Sequence, residues 1–140
     1  HLVEGIYGNT DQGGLGDLIE SVSVKELNQV NISEDEMAIL RQGFYQVVNG
    51  NGQFNTGSAI GQGASVTISA KTGTAETYTT TPSGEVVTAV NTNVVAYAPS
   101  DNPQIAVSVV LPNLTNQSSM TTKTIMREII NLYQSMYPMN

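Results

Sequence analysis

No cysteine occurs anywhere in the 140 residues, so the fold has neither a disulfide framework nor a thiolate metal site. That fits a cytosolic protein, and equally an exported bacterial protein stable without bridges. Cations are scarce as well. Five Lys and Arg stand against twelve Asp and Glu, a net charge of −7. This balance argues against nucleic acid or an anionic membrane as the main partner, because phosphates are repelled. No apolar run approaches the roughly 18 residues that a membrane span requires, and no signal-peptide pattern is present. An initiator Met is also missing, and the opening "HLVEG" reads as the start of a processed or cut piece of something longer. The single histidine, His1, is terminal and has no implied partner, which makes it a poor general base.

The length suits one domain with a real core and is too short for two comfortable ones. A hydrophobic content of 39% is ordinary for a globular chain and argues against disorder. The first residues, "HLVEGIYG", read as a short strand ending at Gly8. The following "GNTDQGGLGD" is turn chemistry. Its cluster Gly13-Gly14-Leu15-Gly16 lacks the Lys-Ser/Thr of a phosphate cradle and is expected to be plain loop.

Helix signals then become clear. Ser33 stands as N-cap with Glu36 three residues on, and Ile32 and Met37 are placed as a hydrophobic staple. Glu34, Asp35 and Glu36 put negative charge at the positive end of the helix dipole. Met37, Leu40, Phe44 and Val47 or Val48 follow at helical spacing, and Asn49-Gly50 ends the run. This predicts a core-facing helix. Residues 50–63 form a Gly-rich connector, and "ASVTISAKTGTAETY" reads as a strand. "TTTPSG" turns it, with Pro82 and Gly84 at turn-favouring places, and "EVVTAV" pairs back as a short ribbon. Two further strands, "NVVAYA" and "QIAVSVVL", are nearly continuous in apolar residues, which suggests cover on both faces. "PSDNP" is short enough to join them as a hairpin. Near the end, Ile125, Ile129, Leu132 and Met136 step by four, three and four, an amphipathic helix. The order predicts an α+β fold, an antiparallel sheet flanked by helices.

Within this layout "KTGTAE" carries the chemistry. In a strand, Thr72 and Thr74 project to one face, where their hydroxyls could together hold a carboxylate. Gly73 between them has no side chain, so a ligand backbone can lie against the strand. Alternation sends Lys71 to the other face, so its stem must curl round to bring charge to the site. An exposed edge of such a strand offers N–H and C=O groups to an added peptide strand. The bland reading is that Lys guards a strand edge and Thr merely favours strands.

"KTGTAE" in these surroundings resembles the third active-site motif of the penicillin-binding proteins and serine β-lactamases, whose other motifs are Ser-x-x-Lys and Ser-x-Asn. "ILRQGFYQVVNGNGQFNTG" is similar to the helix and Gly-containing loop before that strand. "NTNVVAYAPSDNPQIAVSVVLP" is similar to the two strands after it. The likeness covers about residues 30–140, and more loosely the start. "KTGTAETY", "YAPSDNPQIAVSVV" and "INLYQSMYPMN" resemble the corresponding stretches of class B penicillin-binding proteins of the streptococcal type.

The resemblance implies that residues 1–140 are the C-terminal part of one transpeptidase domain. It implies acyl transfer on D-Ala-D-Ala stem peptides of peptidoglycan, with β-lactams trapping the acyl-enzyme. Carried over by position, Lys71 supplies positive charge and holds the hydroxyl of the Ser-x-Asn serine. Thr72 and Thr74 bind the carboxylate of substrate or drug, along the backbone of Gly73. The N–H of Thr74 forms half of the oxyanion hole. No cofactor or metal is implied. The expected partners are stem peptides, β-lactams and the upstream part of the protein, at the outer face of the cytoplasmic membrane with the anchor upstream.

The likeness also has gaps. Three places before Lys25, Lys71 and Lys123 stand Val22, Ile68 and Met120, so the chain contains no Ser-x-x-Lys. Ser100-Asp101-Asn102 imitates the second motif but follows Lys71 and lies between two prolines, where it reads as a hairpin tip. Many relatives carry Gly where Ala70 stands. Asn-x-Ser/Thr triplets at Asn31, Asn113 and Asn116 read as helix entry and loop. The nucleophile and second motif are therefore expected upstream, and the piece alone is expected to be inert. The rival readings are a β-lactam sensor or β-lactamase relative, and a non-catalytic wall-associated binding module.

Overall fold

A computed structural model describes residues 3–116 and 118–139. His1 and Leu2 lie outside the described residues, as do Gln117 and Asn140. The chain divides into two compact units, one ending at Ser33 and the other beginning at Glu34.

The first unit is a hairpin. Strand β1 (Gly5–Asn9) pairs antiparallel with β2 (Leu15–Ser21), with register shifts on either side of the Tyr7↔Leu18 pair. Thr10 closes the turn: its hydroxyl accepts from the Gly14 N–H at 2.8 Å, and its carbonyl accepts from the Gly13 N–H at 2.9 Å. Gly13 has φ +79°, a left-handed backbone that explains a glycine there. The turn was expected, but the strand after it was not. Leu15 and Gly16 belong to β2 rather than to loop, because the glycine-rich stretch hid the alternation that marks a strand.

The second unit opens with helix α1 (Glu34–Asn49), which starts directly after Ser33 as the capping pattern predicts. Its acidic first turn faces the dipole as expected. Only its C-terminal end enters the core: Val48 is buried and Val47 half-buried, whereas Leu40 stays 45% exposed. At that end the Asn49 carboxamide donates to the Ile68 carbonyl at 2.9 Å, tying the helix to the strand that follows. The connector contains one turn of helix, α2 (Ser58–Gly61), whose Ile60 is fully buried.

Three antiparallel strands follow in the order β3 (Ser69–Thr80), β4 (Val86–Ala98), β5 (Ile105–Leu114). Residues 64–68, read as the start of the first strand, precede β3 instead. The expected short ribbon "EVVTAV" and the strand "NVVAYA" are one continuous strand, β4. Asn91 and Thr92, between those two segments, pair with Ala75 and Thr74 of β3 and continue the strand. The turn at 81–85 is as expected. Thr81 donates its N–H to the Glu85 carbonyl at 2.8 Å and accepts the Gly84 N–H at 2.9 Å.

Helix α3 (Met120–Met136) packs on one face of the sheet. Ile68, Ala70, Val94 and Ala96 meet Met126 and Ile130 there, forming the core. Two expectations need correction. The stripe of α3 that turns inward is Thr122, Met126 and Ile130, flanked by Ile125 and Tyr133. Leu132 and Met136 are each 61% exposed, and Ile129 also lies outside the stripe. A stripe chosen for apolar residues passes over Thr122, which is buried because its hydroxyl is bonded to that of Thr92. The second face of the sheet, moreover, is only partly covered: Phe44 of α1 meets Tyr97 there, but Val95 and Val110 are 44% and 58% exposed, whereas Val94 and Val109 on the other face are buried. Apolar continuity alone does not reveal which face finds a partner.

Candidate active site

β3 is an edge strand, and no strand among the described residues pairs along its outer side. Lys71, Thr72, Gly73 and Thr74 lie opposite Val95, Val94, Asn93 and Thr92 of β4. That register fixes the faces, since side chains alternate along a strand. Thr72 and Thr74 share the side of Val94 and Thr92, toward α3. Lys71 and Gly73 share the side on which Val95 is exposed.

The four positions behave differently. Lys71 is exposed, and its stem folds back along the strand so that the ammonium donates to the Thr72 carbonyl. Thr72 is half-buried, and its hydroxyl shares a hydrogen bond of 2.8 Å with that of Thr56 in the connector. Thr74 is exposed, and its hydroxyl has no protein partner among the described residues. A methyl added to Gly73 would sit 2.9 Å from both Cγ and Nδ2 of Asn93, and closer still to Oδ1. The Asn93 carboxamide thus occupies the room that the glycine leaves.

Between β3 and the start of α3 is a cavity of about 250 Å³. Thr56, Thr72 and Thr74 line it from one side and Ser119, Thr122 and Lys123 from the other. No Asp or Glu is among its lining residues, in a chain that carries twelve. The cavity is therefore rich in donors and short of negative charge, a place suited to an anionic group. The residues singled out in the sequence, Thr72, Gly73 and Thr74, come together at it. Thr56, Ser119 and Lys123 were not foreseen, because they sit 16 to 49 residues away and carry no local pattern of their own.

Ser100-Asp101-Asn102 lies between β4 and β5, at the hairpin tip as expected. The Ser100 N–H donates to the Thr67 carbonyl at 3.0 Å, and its hydroxyl accepts from that of Ser69 at 2.9 Å. These bonds tie the hairpin tip to the start of β3, while the Gln104 N–H closes the turn itself on the Ala98 carbonyl at 2.9 Å. A wider depression of about 480 Å³ beside it is lined by Arg41, Tyr45, Thr67, Ser69, Ser100 and Asp101, among others, and includes none of residues 71–74. Among the described residues no group of three or more His, Asp or Glu could hold a metal ion.

Known proteins resemble the chain along nearly its whole length. It is 58% identical over 139 residues to penicillin-binding protein 2B of Streptococcus pneumoniae, a match covering 99% of this chain and 20% of that protein. Penicillin-binding protein 2A of Bacillus subtilis is 35% identical, over 94% of this chain and 19% of its own length. The solved structure of penicillin-binding protein 2B from S. pneumoniae strain R6 superimposes with a TM-score of 0.74 at 58% identity, covering 98% of this chain and 22% of that one. The structure from strain 5204 gives 0.67 at 52% identity, over 100% of this chain and 20% of that one. The chain thus spans about a fifth of the length of the relatives it matches. The expected α+β fold and the class B likeness are both borne out. The family described as the penicillin binding protein transpeptidase domain matches residues 1–131, a span that includes the Lys-Thr-Gly strand, and the chain belongs to that family.

Proposed function

We propose that residues 1–140 are the C-terminal part of a single transpeptidase domain and form one wall of its D,D-transpeptidase site. The observation that carries this reading is the unpaired edge of β3, where Thr72 and Thr74 border a cavity without carboxylates and Lys71 stands exposed on the strand's other face. A stem peptide ending in D-Ala-D-Ala docks along that edge as an added strand. Its terminal carboxylate takes hydrogen bonds from Thr72 and Thr74. A serine from outside this chain, in a Ser-x-x-Lys motif, attacks the penultimate carbonyl through its Oγ. The Oγ–H proton passes to the departing D-Ala nitrogen as the peptide bond breaks. An amine of a neighbouring stem peptide then takes the acyl group, and the serine recovers its proton. The Thr74 N–H faces the developing oxyanion together with the serine's own N–H, and Lys71 holds the hydroxyl of a Ser-x-Asn serine.

β-Lactams enter the same groove and leave the serine acylated. The reading places the chain at the outer face of a bacterial cytoplasmic membrane, with its anchor outside residues 1–140. No helix among the described residues is long and apolar enough to cross a membrane. The test is acylation of the longer, serine-containing protein by a fluorescent penicillin. Lys71→Ala is expected to slow labelling on the order of 100-fold, the scale of losing one pre-aimed electrostatic group. Because Lys71 is exposed, the unfolding midpoint should not move. Labelling at the wild-type rate would remove Lys71 from the mechanism.

A further inference from the structure

Resting on that reading, we infer that Lys123 is a second cation of the carboxylate site, reaching the ligand's anionic end from α3. Lys123 lies in the first turn of the helix, is half-buried, and lines the cavity opposite Thr72 and Thr74. Its ammonium has no hydrogen bond or ion pair among the described residues. By contrast, Arg127 one turn on is held by Glu128 at 2.7 Å. With no anion beside it among the described residues, the ammonium is unpaired, so an anionic guest entering the cavity gains a charge-assisted bond without displacing a protein partner.

The hydroxyls around it are arranged to donate. In the Thr56–Thr72 pair one hydroxyl proton is used inside the pair, and the other remains free. The Thr74 hydroxyl is uncommitted, and Ser119 makes no side-chain capping bond. A carboxylate with about four acceptor positions can therefore take bonds from β3 and from α3 at once. Lys71 is less suited to this task. Its side chain leaves β3 on the opposite face, and its ammonium is bonded to the Thr72 carbonyl. Two of the chain's five cations thus stand at one strand edge, one on each face.

The experiment uses the longer, serine-containing protein and measures second-order acylation by benzylpenicillin and by its neutral methyl ester. Lys123→Gln is expected to slow the free acid roughly tenfold, about 1.4 kcal/mol, and Lys123→Glu to slow it further. Lys123→Arg should stay within about threefold of wild type. The ester should react alike with wild type and Lys123→Gln, because it brings no charge, and unfolding midpoints should coincide. Thr74→Val serves as the reference. If Thr74→Val slows the free acid while Lys123→Gln and Lys123→Glu do not, the role of Lys123 is refuted and the reading of β3 stands. Equal slowing of acid and ester by Lys123→Gln also refutes it, since charge recognition would then not be the cause. If wild type is not acylated, or Thr74→Val is silent too, the reading of β3 fails and the role of Lys123 falls with it.

Discussion

Replacing Gly73 by Ala tests why a glycine stands in the middle of the motif. An added Cβ would lie 2.9 Å from Cγ and Nδ2 of Asn93 and nearer to Oδ1, well inside ordinary contact distance. Every colliding atom belongs to one side chain and none to backbone. Asn93 can therefore yield by turning out of its preferred rotamer, which costs about 0.5–1.5 kcal/mol. Inserting a methyl into a packed position costs about 1–3 kcal/mol in general. The available escape puts Gly73→Ala near the lower end, about 1–1.5 kcal/mol. Asn93→Ala removes the obstacle, so Gly73→Ala in that background should be nearly neutral. The coupling between the two sites is then about 1 kcal/mol, within the range for residues in contact. Urea unfolding of the four proteins of the cycle measures it, provided the slope stays constant. Additive effects would refute the argument. Fluorescent-penicillin labelling of the same four variants in the longer, serine-containing protein is expected to recover in the double variant along with stability. If stability alone recovers, a ligand uses the space over Gly73.

Two other perturbations follow from single contacts. Thr92→Val strands the buried Thr122 hydroxyl, and Thr122→Val strands that of Thr92. Each single change should cost about 1–3 kcal/mol and the double change much less, read from the same urea curves. Arg127→Ala removes donors to the Gln62 carbonyl at 2.9 Å and the Ala59 carbonyl at 3.4 Å, and should lower stability by about 1–2 kcal/mol. Glu128→Gln, at a side chain 59% exposed, should change it by less than about 0.5 kcal/mol.

Local chemistry made much of the fold legible. Ser33 and Glu36 announced the start of α1, Pro82 and Gly84 the turn after β3, and Ser100 to Pro103 the hairpin tip. In both turns the closing bonds are local, Thr81 N–H to the Glu85 carbonyl and Gln104 N–H to the Ala98 carbonyl, so near neighbours supply both halves of the interaction. What stayed hidden required a distant partner. Thr122 is inside because Thr92, 30 residues earlier, satisfies its hydroxyl. Val110 is 58% exposed because no element of the second unit covers it, although its sequence neighbours are as apolar as those of a buried strand. The site divided in the same way. Residues 71–74 were readable as one motif on one strand, but Thr56 and Lys123 acquire meaning only when the connector and α3 meet β3.

The placement of the two lysines also bears on why one strand could serve two tasks. On the proposed reading the site must hold a carboxylate and also keep a positive charge available to a serine hydroxyl. A lysine on the face of Thr72 and Thr74 would pair with the carboxylate, since opposite charges about 4 Å apart attract more strongly than a charge attracts a neutral hydroxyl. Its charge would then be spent on binding. Alternation along β3 prevents this: Lys71 is one residue from Thr72 and therefore on the other face. A cation from a separate element, Lys123, can then take the anionic end while Lys71 remains for the nucleophile's side. The two charges should accordingly be distinguishable by substrate. Loss of Lys71 should slow acid and ester alike, whereas loss of Lys123 should slow the acid alone. Equal sensitivity of both lysines to the ligand's charge would mean that the strand does not separate them.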